Sequence, residues 1–303
     1  MARSSGAVAR GGGPAATADL GGSEGSEGGG RAVELVSWNA DGLSDLSMAE
    51  LRAALDLWDA HLGRPPDVIC IQETKASPAE ELELDGYACF RRDVKRGARG
   101  QATFVELELL AVRDPDLEVD DVLVVVVPET IPPLWVVNVH RKGNDFELFD
   151  DLGRVFSAAD DAGAALLFAG DFNMPDFDGA RQSGAVARSP RTGGADDVRI
   201  CARLAAWRTF PVWLTGLKEP QASCFTRVAP QAGRGVSELD AVLGNSTAVD
   251  ALVDSSVENG VIGRIPFAPL LASDHRAVRV RLVVRCLPTS RRSPAAAVLV
   301  MDT

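Results

Sequence analysis

At 303 residues, with 46% hydrophobic and 24% charged side chains, the chain can bury a sizeable core and has the composition of an ordinary globular protein. Its net charge of −12 argues against tight non-specific binding to nucleic acid and suits a site that gathers carboxylates around a divalent cation. Five scattered cysteines, Cys70, Cys89, Cys201, Cys224 and Cys286, with no CxxC pair, argue against a disulfide framework and a structural zinc site and for a reducing compartment.

Residues 1–31 are rich in Gly, Ala and Ser without hydrophobic period and read as a disordered leader. They contain no apolar core of a signal peptide, and apolar runs such as Val122 to Val127 are too short to span a bilayer. An intracellular protein without membrane contact is expected. One folded domain is expected over 32–285, with a loose tail over 286–303.

Val33 to Trp38 reads as a strand and ends in the polar turn Asn39-Ala40-Asp41-Gly42-Leu43. Ser47 with Glu50 has capping-box spacing, Leu51, Leu55, Trp58 and Leu62 follow at helical spacing, and Pro65-Pro66 stops the helix. A short buried strand, Asp67 to Ile71, runs into Gln72-Glu73-Thr74-Lys75, and Ser77-Pro78 opens a short helix. Strands are expected over Tyr87 to Arg92, Ala102 to Val112, Val122 to Val127 and Leu134 to His140, without intervening helices and therefore antiparallel. Asp145 to Ala159 is an amphipathic helix. Ala164 to Ala169 is a buried strand ending in Gly170-Asp171-Phe172-Asn173, whose Asp and Asn, at i and i+2, face the same side. A long irregular stretch over 174–197 and a helix near 198–208 come next. Short strands near 223–227, 238–243 and 249–257 lead to a last strand, Arg276 to Val284.

Polar residues thus collect at strand ends: Asn39 with Asp41, Glu73, Asp171 with Asn173, and Ser273-Asp274-His275. Asp240 interrupts an apolar strand, and a carboxylate buried there needs a partner, for which His275 is the obvious choice. Each cluster alone reads equally as a turn or cap. Together they form a set that independent turns have no reason to supply.

The ordered set Trp38-Asn39-Ala40-Asp41-Gly42-Leu43, Ile71-Gln72-Glu73-Thr74-Lys75, Gly170-Asp171-Phe172-Asn173, Leu239-Asp240 and Ser273-Asp274-His275 resembles the endonuclease/exonuclease/phosphatase superfamily. In motif form it is most similar to abasic-site endonucleases and the endonuclease domains of non-LTR retrotransposons. The resemblance implies an α/β fold, a DNase I-like four-layer sandwich of two packed, mostly antiparallel β-sheets flanked by helices. It implies phosphodiester hydrolysis assisted by Mg2+ or Mn2+, with DNA favoured over RNA as partner and no obligate protein partner. By motif position, Glu73 is the main metal ligand, with Asp41 and Asp274 nearby. Asp171 handles the attacking water, Asn173 and Asn39 position water and phosphate, and His275, oriented by Asp240, meets the phosphate. Lys75 supports Glu73. A nuclear location follows only from that function.

Three departures qualify the resemblance. His140 stands where relatives carry a phosphate-binding tyrosine and takes over that candidate role. Val236, Ser237 and Glu238 replace an aromatic residue and an arginine, which disfavours an abasic-sugar pocket. Met174-Pro175-Asp176 follows Asn173, without the phosphatase-branch signature. The competing readings are an RNA deadenylase or phosphatase of the same superfamily, or a catalytically impaired remnant. Arg91, Arg92, Lys95, Arg96, Arg99, Arg141 and Lys142 are candidates to grip phosphates.

Overall fold

The structure is a computed structural model, and it describes residues 30–93, 99–142, 147–173, 210–211, 227–228, 236–237, 240–257, 261–262, 265–266 and 277–286. The chain starts with β1 (Arg31–Asn39), α1 (Asp45–Leu62), β2 (Val68–Gln72), β3 (Tyr87–Arg92) and β4 (Gln101–Glu106). It continues with β5 (Val112–Arg113), β6 (Val122–Val127), β7 (Thr130–Ile131), β8 (Leu134–His140), α2 (Leu148–Asp161) and β9 (Ala165–Asp171). After β10 (Phe210–Pro211), β11 (Arg227–Val228) and β12 (Val236–Ser237) come β13 (Asp240–Gly244), α3 (Ser246–Ala251) and β14 (Leu252–Val257). The short strands β15 (Val261–Ile262) and β16 (Ile265–Pro266) precede β17 (Val278–Cys286).

Two sheets carry the fold. The first has the order β14-β17-β1-β2-β4-β3, and the second β10-β13-β9-β8-β6-β5. Alternation decides what lies between them. Val33, Leu35, Val68, Cys70, Val278 and Val280 of the first sheet meet Val124, Val136, Leu167 and Val242 of the second in one buried cluster. The opposite face of the first sheet, with Val36, Trp38, Ile69 and Phe104, takes Met48, Leu51, Ala54 and Trp58 of α1. Leu152, Val155 and Ala159 of α2 join the core on the side of the second sheet. The result is the expected four-layer α/β sandwich. Most pairings are antiparallel, while β1–β2 and β8–β9 are parallel. No helix among the described residues is long and apolar enough to cross a membrane.

Several boundaries differ from the sequence reading for local reasons. α1 is capped by Ser44, not Ser47: the Ser44 side chain accepts from the Ser47 N–H at 3.2 Å, and Ser47 lies in the first turn. The helix ends before the prolines because Gly63 adopts the left-handed conformation and its N–H returns to Asp59 O. Ser77-Pro78 opens turns rather than a helix. The strand expected over Ala102 to Val112 is broken at Glu106, where a 3-10 turn (Leu107–Leu109) and Leu110 at φ 48° carry the chain from the first sheet to the second. Asp240 opens β13 rather than interrupting it. The helix expected near 198–208 lies outside the described residues.

One polar network is buried between the sheets just below their common end. Asn138, 0% exposed on β8, donates to Ile71 O at 3.1 Å and Ala102 O at 3.0 Å, on the adjacent strands β2 and β4 of the other sheet. Its Oδ1 accepts from Gln72 Nε2 at 2.8 Å, while Gln101 Nε2 donates to Asn138 O and to Asp121 O. The carbonyl of Asp121 in turn accepts from the His140 N–H. Such a network fixes register between layers that apolar packing alone lets slide. Replacing Asn138 with leucine strands several buried groups at once, so a loss of about 3–5 kcal/mol is expected in denaturant unfolding. A loss under about 1 kcal/mol would mean that water replaces the network.

Candidate active site

Parallel pairing brings the C-terminal ends of four strands to one edge. In the first sheet Asn39 is in register with Gln72, which places Glu73 next to the end of β1. In the second, Asp171 is in register with His140 on one side and Asp240 on the other, so three site candidates stand in a row across β8, β9 and β13. Two contacts then cross between the sheets. Asn39 Nδ2 donates to Asp171 Oδ2 at 2.9 Å, and His140 Nε2 lies 3.3 Å from Glu73 Oε1.

Each carboxylate is held by its own set of partners. Asp171 is 2% exposed and its Oδ1 accepts from the Asn173 N–H at 2.8 Å. Asn173 Nδ2 donates to Arg141 O at 2.7 Å, anchoring the turn after β9 to the end of β8. The Asp41 N–H donates to Asn39 Oδ1 at 3.1 Å. Lys75 Nζ is hydrogen-bonded to the Asp41 carboxylate, donates to Asp41 O at 3.0 Å, and is 3.7 Å from Glu73 Oε2. On the other side of Glu73, Arg99 Nε is 3.8 Å from Oε1.

The backbone here is unusual. Among the described residues, the positive-φ non-glycines include Asp41 at 52°, Glu73 at 53°, Lys75 at 51° and Asn173 at 46°. Asp and Asn tolerate this conformation, but Glu and Lys do so at a cost of order 1–3 kcal/mol, which the surrounding hydrogen bonds must offset. Strain concentrated in one place marks a functional site. Nothing in residue type announces it for Glu73 or Lys75, so the sequence hides it. Gly170, at φ 154°, is required for a different reason: a Cβ there would lie 1.8 Å from Val139 O.

Electrostatics follow from the geometry. The contact with His140 is the main cause that lowers the Glu73 pKa to about 2, with Arg99 and Asn39 adding to it against the effect of burial. Because the folded value lies below the unfolded one, Glu73 contributes stability that is full above about pH 4.5 and fades as pH falls toward about 2. The stability difference between wild type and Glu73→Gln is therefore expected to stay constant from pH 8 to about 5 and to change only below about 4.5. Thermal melts across that range check it. A change centred near pH 6 would place the titration elsewhere.

Glu73 and Asp41 offer hard oxygen donors reached by the same lysine, which suits a cation such as Mg2+ that keeps several waters and needs one or two carboxylates. Among the described residues no cluster of three His, Cys, Asp or Glu side chains could hold an ion unaided. Asp274 and His275 lie outside the described residues, as do Lys95 and Arg96. Asp240 is fully buried at the start of β13.

The basic residues divide sharply. Arg91 is tied to Asp93 at 2.7 Å and to the carbonyls of Ser77 and Glu80. Arg92 pairs with Glu118 at 3.3 Å and Asp120 at 3.1 Å, and Lys142 with Asp121 at 2.8 Å. Arg141 is 1% exposed, its guanidinium 5.7 Å from the Phe149 ring centroid and its Nη1 3.5 Å from Phe172 O. It supports the floor of the site and is not a surface that grips phosphate, in contrast to the sequence expectation. Alternation and charge alone could not separate it from Lys142, because its burial depends on where α2 crosses the strand ends.

A sequence profile of the Endonuclease/Exonuclease/phosphatase family matches residues 36–275. No curated protein matches the chain in sequence. Solved structures share the fold. The catalytic domain of Xenopus laevis APE2 aligns with a TM-score of 0.64 and 17% identity, over 86% of this chain and 94% of that one. The AP endonuclease LMAP from Leishmania major gives 0.60 and 19%, over 85% and 89%. The endonuclease domain of TRAS1, a telomere-specific non-LTR retrotransposon, gives 0.57 and 16%, over 83% and 98%.

Proposed function

Because the chain belongs to the Endonuclease/Exonuclease/phosphatase family, we propose that it is a phosphodiester hydrolase dependent on Mg2+ or Mn2+, and in particular an endonuclease that nicks DNA to leave 3′-hydroxyl ends. The observation that carries this reading is the meeting of the two sheets at one edge, Asn39 on Asp171 and His140 on Glu73.

Glu73 and Asp41 would hold the cation, with Asp274 as a further ligand. The bound ion would polarise a phosphoryl oxygen and favour ionisation of a coordinated water. Asp171 is the base for the attacking water: the Asn39 amide and the Asn173 N–H each donate to one of its oxygens, which stabilises the carboxylate and fixes its orientation. Asn173 is fixed by the Arg141 carbonyl and positions the water. His140 stands in place of a tyrosine but is 0% exposed, and with Nε2 3.3 Å from Glu73 Oε1 it orients that carboxylate instead of reaching the phosphate. Asp240 orients His275, which meets the developing charge.

DNA is favoured because the structurally similar proteins include AP endonucleases and a retrotransposon endonuclease domain. The retrotransposon-like branch is preferred because Val236, Ser237 and Glu238 do not supply the aromatic and arginine of an abasic-sugar pocket. The net charge of −12 weighs against polyanionic substrates and so favours small phosphoesters among the competing substrates, which also include poly(A) RNA. A panel of supercoiled DNA, abasic duplex, poly(A) RNA and inositol phosphates decides among them. Turnover highest on unmodified DNA, with ends that a polymerase extends directly, is expected. Turnover confined to poly(A) or inositol phosphates would replace the DNA reading.

A further inference from the structure

We propose that Arg99 is a substrate-contacting residue whose guanidinium takes a non-bridging oxygen of the phosphodiester being cut, on the side of the Glu73 carboxylate. The inference rests on the phosphodiesterase reading and assigns one basic residue a role within it.

Position is the first reason. Arg99 Nε is 3.8 Å from Glu73 Oε1, so its charged head stands beside the carboxylate that would hold the cation. The side chain is 43% exposed, and its Nη atoms make no hydrogen bond among the described residues. Arg91, Arg92 and Lys142 are neutralised by carboxylates close by, and Arg141 is buried. Lys75 is held on the Asp41 carboxylate and carbonyl. Lys142 and Lys75 are about as exposed, but each is hydrogen-bonded to a carboxylate, whereas Arg99 combines exposure with guanidinium nitrogens that carry no hydrogen bond among the described residues.

The second reason is that the backbone beside it is fixed. Gly100 is buried, its carbonyl accepts from the Thr74 N–H at 3.0 Å, and a Cβ on it would lie 2.3 Å from Thr74 Oγ1. The next residue, Gln101, is in register with Gln72 and reaches Asn138 O with its side chain. The chain therefore passes close over the residue after Glu73, where a side chain at position 100 would force Thr74 to shift. Arg99 stands two residues before β4 and next to this anchored glycine, which favours the preorganisation an electrostatic contact needs.

Chemistry supplies the third. As the water oxygen forms its bond to phosphorus, its proton passes to Asp171. The P–O3′ bond breaks with its electron pair on the 3′ oxygen, which takes up a proton to leave as the hydroxyl. Negative charge builds on the non-bridging oxygens in between. A planar guanidinium donates two parallel hydrogen bonds to such oxygens, whereas an ammonium is a single point charge.

The test compares wild type, Arg99→Ala, Arg99→Lys and a distant control, Arg154→Ala, on supercoiled plasmid with Mg2+. Mn2+ affinity of each free protein is measured in parallel by electron paramagnetic resonance. Arg99→Ala is expected to lower kcat by about a hundredfold with KM changed less than about threefold, and Arg99→Lys to recover only part. Methylguanidinium should restore activity to Arg99→Ala, and methylammonium at the same concentration should not. Mn2+ affinity should be unchanged or tighter, because a cation beside the carboxylate has been removed. Equal activity of Arg99→Ala and wild type would overturn the proposal. So would a loss of activity matched by a loss of Mn2+ affinity, which would make Arg99 a support for Glu73. An inactive wild type would overturn the phosphodiesterase reading itself and this inference with it.

Discussion

Replacing Glu73 with alanine is expected to lower the rate of plasmid nicking by at least about a thousandfold and also to lower folded stability at neutral pH, where the contribution of its carboxylate is full. The size follows from what the carboxylate joins. It is flanked by Lys75, Arg99 and His140, and it is the anion they share. Without it, the charges of Lys75 and Arg99 remain where the proposed divalent cation would bind, so both the ligand and the local potential would be lost. The proposed general base is untouched, because Asp171 is held by Asn39 and Asn173. Raising Mg2+ should therefore restore little activity. Single-turnover nicking at several Mg2+ concentrations checks this. A variant that regains the wild-type rate at high Mg2+ would show that Glu73 contributes affinity alone.

Gly170→Ala is the second large effect, and its cause is purely steric. The new methyl would lie 1.8 Å from Val139 O and 2.8 Å from Val139 C, both backbone atoms of the paired strand, which have no rotamer to give way. β8 and β9 must part where they carry His140 and Asp171. A loss of about 3–5 kcal/mol in denaturant unfolding is expected, together with loss of nicking by the protein that remains folded. Gly163→Ala is the matched control: its φ of 62° is also positive, but a Cβ there meets nothing within 4 Å. Its cost should be about 1 kcal/mol, with activity retained. Equal costs at the two positions would show that the dihedral angle, not the close approach of the strands, makes Gly170 necessary.

Much of the fold is visible in the chain because the sandwich is built from strands buried on one or both faces. Val122–Val127 and Leu134–His140 begin and end where apolar periodicity places them. The change of sheet at Leu107–Leu109 is not visible, because that segment is as apolar as the strands around it and only the tertiary path breaks it. The α3 helix is not visible in the sequence for a similar reason: six residues are too few to show a period, although Asn245 caps it by accepting from the Ala248 N–H. At the site, the order of Asn39, Glu73, Asp171 and Asn173 is legible as polar residues after buried strands. Their mutual contacts come from register, which a single sequence does not encode. The basic residues show the same limit. Composition presents Arg91, Arg92, Arg99, Arg141 and Lys142 as equivalent, whereas their carboxylate partners and burial separate them.

Nicking of supercoiled plasmid by wild type and Glu73→Gln, with Mg2+ and with Mg2+ plus excess chelator, bears most directly on the proposed site. Relaxed circles should accumulate with wild type in Mg2+ and in no other lane. Intact plasmid with wild type, or equal nicking by Glu73→Gln or in the presence of chelator, would contradict a metal-assisted phosphodiesterase centred on Glu73.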